Sequence, residues 1–268
     1  IYGISFVDDK ALKPAASLKC KILQIKELEI TDAESVAEML GSLRPEYLIH
    51  CAAISSTAYA QAHPDESMAI NVEGAVNIAK ACRETGTKAF FMSSDQVYGG
   101  CPKSGPIDEN EPLSPSNIYG LHKLLMEQRV LEILPGATIL RLSWMFERYD
   151  ANNIHTDIIS RLTASATTGT PIKASTLEYR GMTDVESVCS NIIKGFRLLP
   201  PGIYNFGSGN IMDTYSTLSE AVRQAGIDPS IIVPDDTWGR NLSMDCTKLA
   251  GYGITFRDTT ESIAMALV

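Results

Sequence analysis

The sequence predicts an α/β protein: a doubly wound parallel sheet with a smaller C-terminal lobe. Three observations carry this expectation. Short apolar runs recur at IYGISF (1–6), CKILQI (20–25), EYLIHCAA (46–53), KAFFMSS (88–94) and ATILRLSW (137–144), as in strands buried on both faces. Segments with helical spacing alternate with the later runs, which is the pattern of a parallel sheet covered by helices. The rhythm then changes after Trp144, where residues 145–182 are polar and irregular.

Each element has its own reason. Residues 31–43 read as a helix, with Thr31 or Asp32 as cap and Val36, Met39 and Leu40 at helical spacing, stopped by Arg44-Pro45. Residues 66–85 read as one long amphipathic helix with Ile70, Val76, Ile78 and Ala79 inward. A Gly- and Pro-rich loop over 95–114 leads to Ser114 as cap and Pro115 at the first position of a helix reaching about residue 134. Beyond Trp144, one helix is expected near 155–166. A helix at 184–198 and a strand at 202–208 return to the sheet. A helix at 214–225, a strand at 231–234 and a final helix from about residue 258 complete the chain. With no internal repeat or low-complexity linker, the lobe is threaded through the main domain. The expected division is 1–144 with 183–208 for the main domain, and 145–182 with 209–268 for the lobe.

One absence shapes the reading. In a dinucleotide-binding fold, the first strand is central and its turn into the first helix carries G-x-G-x-x-G or a variant. Gly3 is the sole glycine before Gly41. IYGISF, followed by acidic residues, therefore reads as the second strand. About 30 residues, the size of a strand-turn-helix unit, are expected ahead of Ile1.

Composition excludes several classes. The 268 residues carry a formal net charge of -9, with 44% hydrophobic and 21% charged residues. That balance argues against a large basic face, hence against nucleic acid or anionic lipid as partner. No apolar run reaches the roughly 20 residues of a membrane span, and the start has no signal-peptide pattern. Six cysteines lie far apart without a C-x-x-C pair, so neither zinc-finger spacing nor a disulfide framework is expected. Cys51 and Cys82 read as small buried hydrophobes. The protein reads as reduced and cytoplasmic. No two histidines have ligand spacing, and no metal site is expected.

The chemistry centres on Tyr119-Gly-Leu-His-Lys123, which places a phenol and an ammonium four residues apart on one helix face. A nearby lysine charge favours phenolate and is expected to lower the tyrosine pKa, making Tyr119 a usable general acid. Such a pair arises readily by chance, and context is what raises it. KAFFMSS ends at Ser93-Ser94-Asp95, at the carboxyl end of a parallel strand, where ligands of open α/β sheets bind. A hydroxyl there can hydrogen-bond a substrate carbonyl. Taken alone, Ser93 and Ser94 read as simple turn residues.

The ordered set CAA (51–53), NVEGAVNI (71–78), SSDQVYGG (93–100), P-x-N-x-YGLHK (115–123) and RLSWMF (141–146) resembles an extended short-chain dehydrogenase/reductase. ELEITDAES (27–35), RPEYLIHCAA and RNLSMDCTKL (240–249) make it most similar to the dTDP-4-dehydrorhamnose reductase group of that superfamily. The resemblance implies a Rossmann-type domain with a nucleotide-sugar lobe. It implies NAD(P)H as cofactor and a nucleotide-linked 4-keto-6-deoxy sugar as substrate. Ser94, Tyr119 and Lys123 take the catalytic roles, and Asp95 matches the acidic residue that follows the hydroxyl. Glu29, Ile30, Cys51, Ala52 and Ala53, with Tyr119 and Lys123, are implied at the cofactor. Asn71 is implied as a structural brace of the active-site strand. A homodimer is compatible with it.

The departures are specific. Glu29 stands where the family usually has Asp. Ser94 replaces the usual threonine. Gln96-Val-Tyr-Gly reads partly as the epimerase form, and Gly239-Arg240-Asn241 lacks a proline often found there. Trp144 is expected either to stack on the sugar or to fill the core. Arg240 is expected either to pair with the diphosphate or to be a solvated surface arginine. Asp8 and Asp9 favour NAD(H), whereas Lys10 and Lys13 suit a 2′-phosphate. Two rival functions stay open: an epimerase or dehydratase of the same superfamily, and a non-catalytic dinucleotide-binding regulatory subunit.

Overall fold

A computed structural model describes residues 28–147 and 157–268 in full, and 2–4 and 24–26 as backbone. Asp8, Asp9, Lys10, Lys13 and Cys20 lie outside the described residues. Tyr2–Ile4 (β1) and Gln24–Lys26 (β2) pair in parallel. Asp32 caps Ala33–Leu43 (α1) by accepting from the Glu34 and Ser35 amides, two donors the first turn leaves open. Tyr47–His50 (β3) follows.

A short helix, Thr57–Ala62 (α2), comes first. The helix expected over 66–85 runs unbroken from Pro64 to Thr85 but changes pitch within: Pro64–Met68 (α3), a π-helical turn over Ala69–Gly74, and Ala75–Thr85 (α4). Two contacts accompany the wide turn. The Asn71 amide turns inward onto the Ile54 backbone, and the bare Gly74 lets Ile30 approach. π-turns gather at such functional places.

Lys88–Ser94 (β4) runs into a 3-10 turn over Asp95–Tyr98. Ile118–Ile133 (α5) begins later than expected. Its cap is Asn117 rather than Ser114, because Asn117 is extended and its side-chain oxygen accepts from the Gly120 amide at 2.8 Å. Thr138–Leu142 (β5), Trp144–Phe146 (β6), Ile158–Thr168 (α6), Ile172–Arg180 (β7), Met182–Asp184 (β8) and Val185–Leu198 (α7) come next. Gly202–Phe206 (β9), Thr214–Gln224 (α8), Ile232–Leu242 (β10), Thr247–Ala250 (α9) and Thr259–Ala266 (α10) complete the order.

The main sheet is parallel, in the order β3-β4-β5-β9. Alternate residues of β4 serve opposite faces, as the two-residue period of a strand requires. Phe91 joins Val36, Leu40, Ile78, Met126, Val130 and Ile139 under α1, α4 and α5. Phe90 and Met92 join Leu140, Val188, Ile192, Tyr204 and Phe206 under α7 and α9. Helices thus cover both faces, which makes the fold a Rossmann-type doubly wound sheet.

Burial on both faces holds for β4 and β5 and fails for β3. Among the described residues β3 is an end strand of this sheet: Ile49 is exposed, and so are Cys51 and Ala52 just beyond it. The expectation of Cys51 as a buried hydrophobe is therefore corrected, while Cys82 is fully buried. The segment expected to be irregular before residue 182 contains the nine-residue β7. It pairs in parallel with β10, whose register shifts between Asp235 and Gly239. That pairing extends β10 well past the short strand expected at 231–234. β7, β10, α6, α8 and α10 close on a second core that includes Phe146, Ile159, Leu162, Leu218, Val222 and Ile263.

Candidate active site

The site is built where β4 ends. Gly120 lets the first turn of α5 press against the 3-10 turn: a Cβ there would stand 2.4 Å from the Gln96 carbonyl oxygen. Asn117 adds a second tie, donating from its amide to Gln96 Oε1 at 2.9 Å. These contacts bring Tyr119 to Ser94. Tyr119, Lys123 and Glu127 then fall on one buried face of α5, one turn apart. Lys123 Nζ donates to the Met92 carbonyl at 2.8 Å and lies 5.7 Å from the centroid of the Tyr119 ring.

The Tyr119 phenol is not depressed as expected. Burial pushes it up to about 12; the Ser94 hydroxyl works against that shift, and the Asp95 charge adds to it. Burial also drives Lys123 down to about 8, while Cys51 and Glu127 hold it up. The desolvated lysine is thus a weaker influence on the phenol than the spacing alone suggests. A phenol held protonated remains a proton donor.

Ser94 Oγ accepts from the Gln96 amide at 3.2 Å and donates to Asp95 Oδ1 at 3.1 Å. Asp95, 2% exposed, receives Arg180 Nη2 at 3.0 Å through its other oxygen. The Arg180 guanidinium lies over the Trp144 ring at 4.9 Å and 3.7 Å from Glu178. Glu178 also accepts from Arg240 Nε at 2.9 Å, and Arg240 Nη1 reaches Gln96 Oε1 at 3.3 Å. Asp95, Trp144 and Arg240 are therefore brought together, with Arg180 and Glu178 between them. Arg180 Nε has no partner among the described residues.

The other expected residues lie around this centre. Asn71 exchanges two hydrogen bonds with Ile54, at 2.8 and 3.0 Å, tying the loop after β3. Ala53 is half-buried beside the exposed Cys51 and Ala52. Glu29 and Ile30 stand apart from the Tyr119 group, before α1. Glu29 accepts from the Thr31 amide and hydroxyl, and the Ile30 carbonyl accepts from Asn77 at 3.0 Å. His50 is buried and neutral, pushed down to about 3 by burial and then by Lys123. His122 pairs with Ser67 at 2.9 Å in the interior, away from any ligand role. Among the described residues, no cluster of His, Cys, Asp or Glu suits a metal ion.

The sequence reading missed Arg180, Glu178, Glu127 and Arg141. Two of these had a signal. Arg141 interrupts an apolar strand, which demands a buried counter-charge. Glu127 continues the four-residue spacing of Tyr119 and Lys123.

A Rossmann-type domain with a Ser–Tyr–Lys group at the carboxyl end of its sheet defines the class. Residues 10–242 match the family model described as RmlD substrate binding domain, and the chain belongs to that family. It is 26% identical over 214 residues to a dTDP-4-dehydrorhamnose reductase of Mycolicibacterium smegmatis, covering 79% of this chain and 63% of that protein's length. It is 28% identical over 250 residues to methionine adenosyltransferase 2 subunit beta of Rattus norvegicus, covering 86% and 72%. The fold is similar to the Bacillus anthracis dTDP-4-dehydrorhamnose reductase in complex with NADP. There the TM-score is 0.78 and the identity 23%, covering 90% of this chain and 87% of that one. No described helix is long and apolar enough to cross a membrane.

Proposed function

We propose that the protein reduces the 4-keto group of a nucleotide-linked 6-deoxy sugar at the expense of NAD(P)H. The observation that carries this reading is the meeting of Ser94, Tyr119 and Lys123 at the carboxyl end of a parallel sheet, in a chain related to dTDP-4-dehydrorhamnose reductases. The fit to a dinucleotide is supported by Lys123, whose ammonium has three donors and places one on Met92. The exposed end of β3 at Cys51 and Ala52, with Ala53, offers backbone beside it. Glu29 and Ile30 would meet the far end of the cofactor.

Bound NAD(P)H supplies the hydride for the carbonyl carbon. Ser94 Oγ turns its one hydrogen from Asp95 to the carbonyl oxygen. Tyr119 transfers its proton to that oxygen as negative charge develops. Lys123 holds the ribose and offsets the phenolate left behind. The sugar lies against Asp95 and Trp144, Arg240 faces the diphosphate, and Asn71 holds the loop after β3 in place. Residues 145–182 and 209–268 supply the substrate side, and 1–144 with 183–208 the cofactor side.

The likeness to a methionine adenosyltransferase subunit favours a second reading, in which the chain binds a dinucleotide without turnover. One assay separates the two. With a deoxythymidine diphosphate 4-keto-6-deoxyhexose, one equivalent of NADPH or NADH should be oxidised per sugar reduced. Isomerised sugar without net cofactor loss would indicate an epimerase. Dinucleotide binding without any product would indicate the regulatory role.

A further inference from the structure

Behind the catalytic residues lies a polar rung that the proposed chemistry does not use. Ser93, Arg141 and Asn205 stand side by side across β4, β5 and β9, in register. The neighbouring rung is Met92, Leu140 and Tyr204, and the one before it Phe91, Ile139 and Ile203. Arg141 is 1% exposed and Glu127 2%. Arg141 places Nη2 and Nε on the Glu127 carboxylate at 2.6 and 3.0 Å. Its Nη1 donates to the Tyr98 hydroxyl at 2.6 Å, and Tyr98 donates to Asn205 Oδ1 at 2.8 Å. The Ser93 hydroxyl donates to Glu127 Oε1 at 2.5 Å. A buried ion pair of this kind is weak support for stability, since an apolar replacement often does as well. Its placement suggests another use.

Three consecutive residues of β4 are tied to three consecutive turns of α5. Ser94 meets Tyr119, the Met92 carbonyl holds Lys123, and Ser93 holds Glu127. We infer that Glu127, anchored by Arg141 and Ser93, is a positioning residue that sets β4 against α5 and so holds the Lys123 ammonium on the Met92 carbonyl. This inference rests on the reading of Ser94, Tyr119 and Lys123 as the reducing centre. The groups facing Lys123 are few. Among the described residues, Tyr119 and Glu127 come from its own helix, and His50 and Cys51 from the end of β3. His50 is neutral; Cys51 and then Glu127 work against the burial of the ammonium, and Glu127 is the carboxylate of the two.

The test reads Lys123 directly. Protein labelled with 13C at the lysine Cε is titrated by NMR, and the Lys123 signal is assigned by its loss in Lys123→Met. In Glu127→Gln the Lys123 midpoint should fall by about one unit, the scale of removing one nearby charge in a partly buried site. The alkaline limb of kcat should move by the same amount, and Glu127→Asp should restore most of both. Should Glu127→Gln fail to fold, Glu127→Gln with Arg141→Gln removes both buried charges, and the midpoint should again fall, by less, because losing the Arg141 cation works the other way. An unchanged Lys123 midpoint in either folded variant overturns the inference and leaves the proposed reaction untouched. A shifted midpoint in a protein that turns over no keto-sugar supports the inference and defeats the proposed reaction.

Discussion

Two buried charge clusters flank Ser94 at the end of β4, and they are built differently. Ser93 belongs to the first, where Arg141 places all three guanidinium nitrogens and both Glu127 oxygens are engaged. Asp95 belongs to the second, where Arg180 leaves Nε unpartnered among the described residues and Arg240 stays partly exposed. Ser94 lies between. The first cluster is closed: its donors are spent within the protein, so what it does is hold geometry. The second is open: it crosses from the sheet to the lobe and keeps donors in hand at the place where a ligand would lie. Damage to the closed cluster should therefore appear as lost stability, and damage to the open one as lost affinity for substrate.

The largest effect is expected in the closed cluster. Arg141→Met strands the Glu127 carboxylate in the interior and should cost about 3–5 kcal/mol in urea unfolding, the scale of breaking a buried pair from one side. Glu127→Leu together with Arg141→Met should recover most of that loss. A single variant as stable as the parent would erase the distinction between the two clusters.

Next in size is the chemical step between them. Tyr119→Phe keeps the ring and its packing but removes the proton donor. A loss in kcat of about 100-fold or more is expected, as for a general acid, with cofactor affinity little changed. Lys123→Met should damage both quantities, because the lysine also holds the ribose. Stopped-flow turnover and fluorescence titration of the cofactor measure the two separately. Near-normal turnover in Tyr119→Phe removes Tyr119 from the reaction.

The difference between the clusters also explains what could be read in advance. β4 and β5 were legible because burial on both faces leaves an unbroken apolar run, and the Tyr119–Lys123 pair because its spacing is local; Ser94 was singled out by its place at a strand end and by the family resemblance. The π-helical turn at Ala69–Gly74 was not, since its contacts are with Ile30 and Ile54, outside the helix. Nor was β7. Its polar residues Ser175, Glu178 and Arg180 are buried. Their partners, Trp238, Thr214 and Asp95, lie 63, 36 and 85 residues away. A polar residue buried by a remote partner carries no periodic signal. The same holds for the start of α5, where Asn117 prevailed over Ser114 through its contact with Gln96. The Tyr119 pKa ran opposite to expectation for a related reason. Spacing shows the lysine, whereas burial is a property of the whole fold.

The smallest expected effect tests the open cluster. Arg240 is held by Glu178 through Nε and by Gln96 through Nη1, and its side chain is 28% exposed. Glu178 is shared with Arg180, so one carboxylate serves two guanidiniums, and the four charges of Asp95, Glu178, Arg180 and Arg240 sum to zero. A diphosphate entering there meets Arg240 already oriented by Glu178 and still partly exposed. Arg240→Ala should raise KM for the sugar nucleotide by about 10-fold or more, the scale of one charge-assisted hydrogen bond. Because Glu178 keeps Arg180, folding should be little affected, and the Tyr119–Lys123 side should hold its KM for NAD(P)H. The check is a pair of steady-state titrations, one in each ligand, with the unfolding midpoint measured alongside. A rise confined to the cofactor KM would place Arg240 on the other ligand. A drop in stability comparable to that of Arg141→Met would show that the second cluster is closed after all.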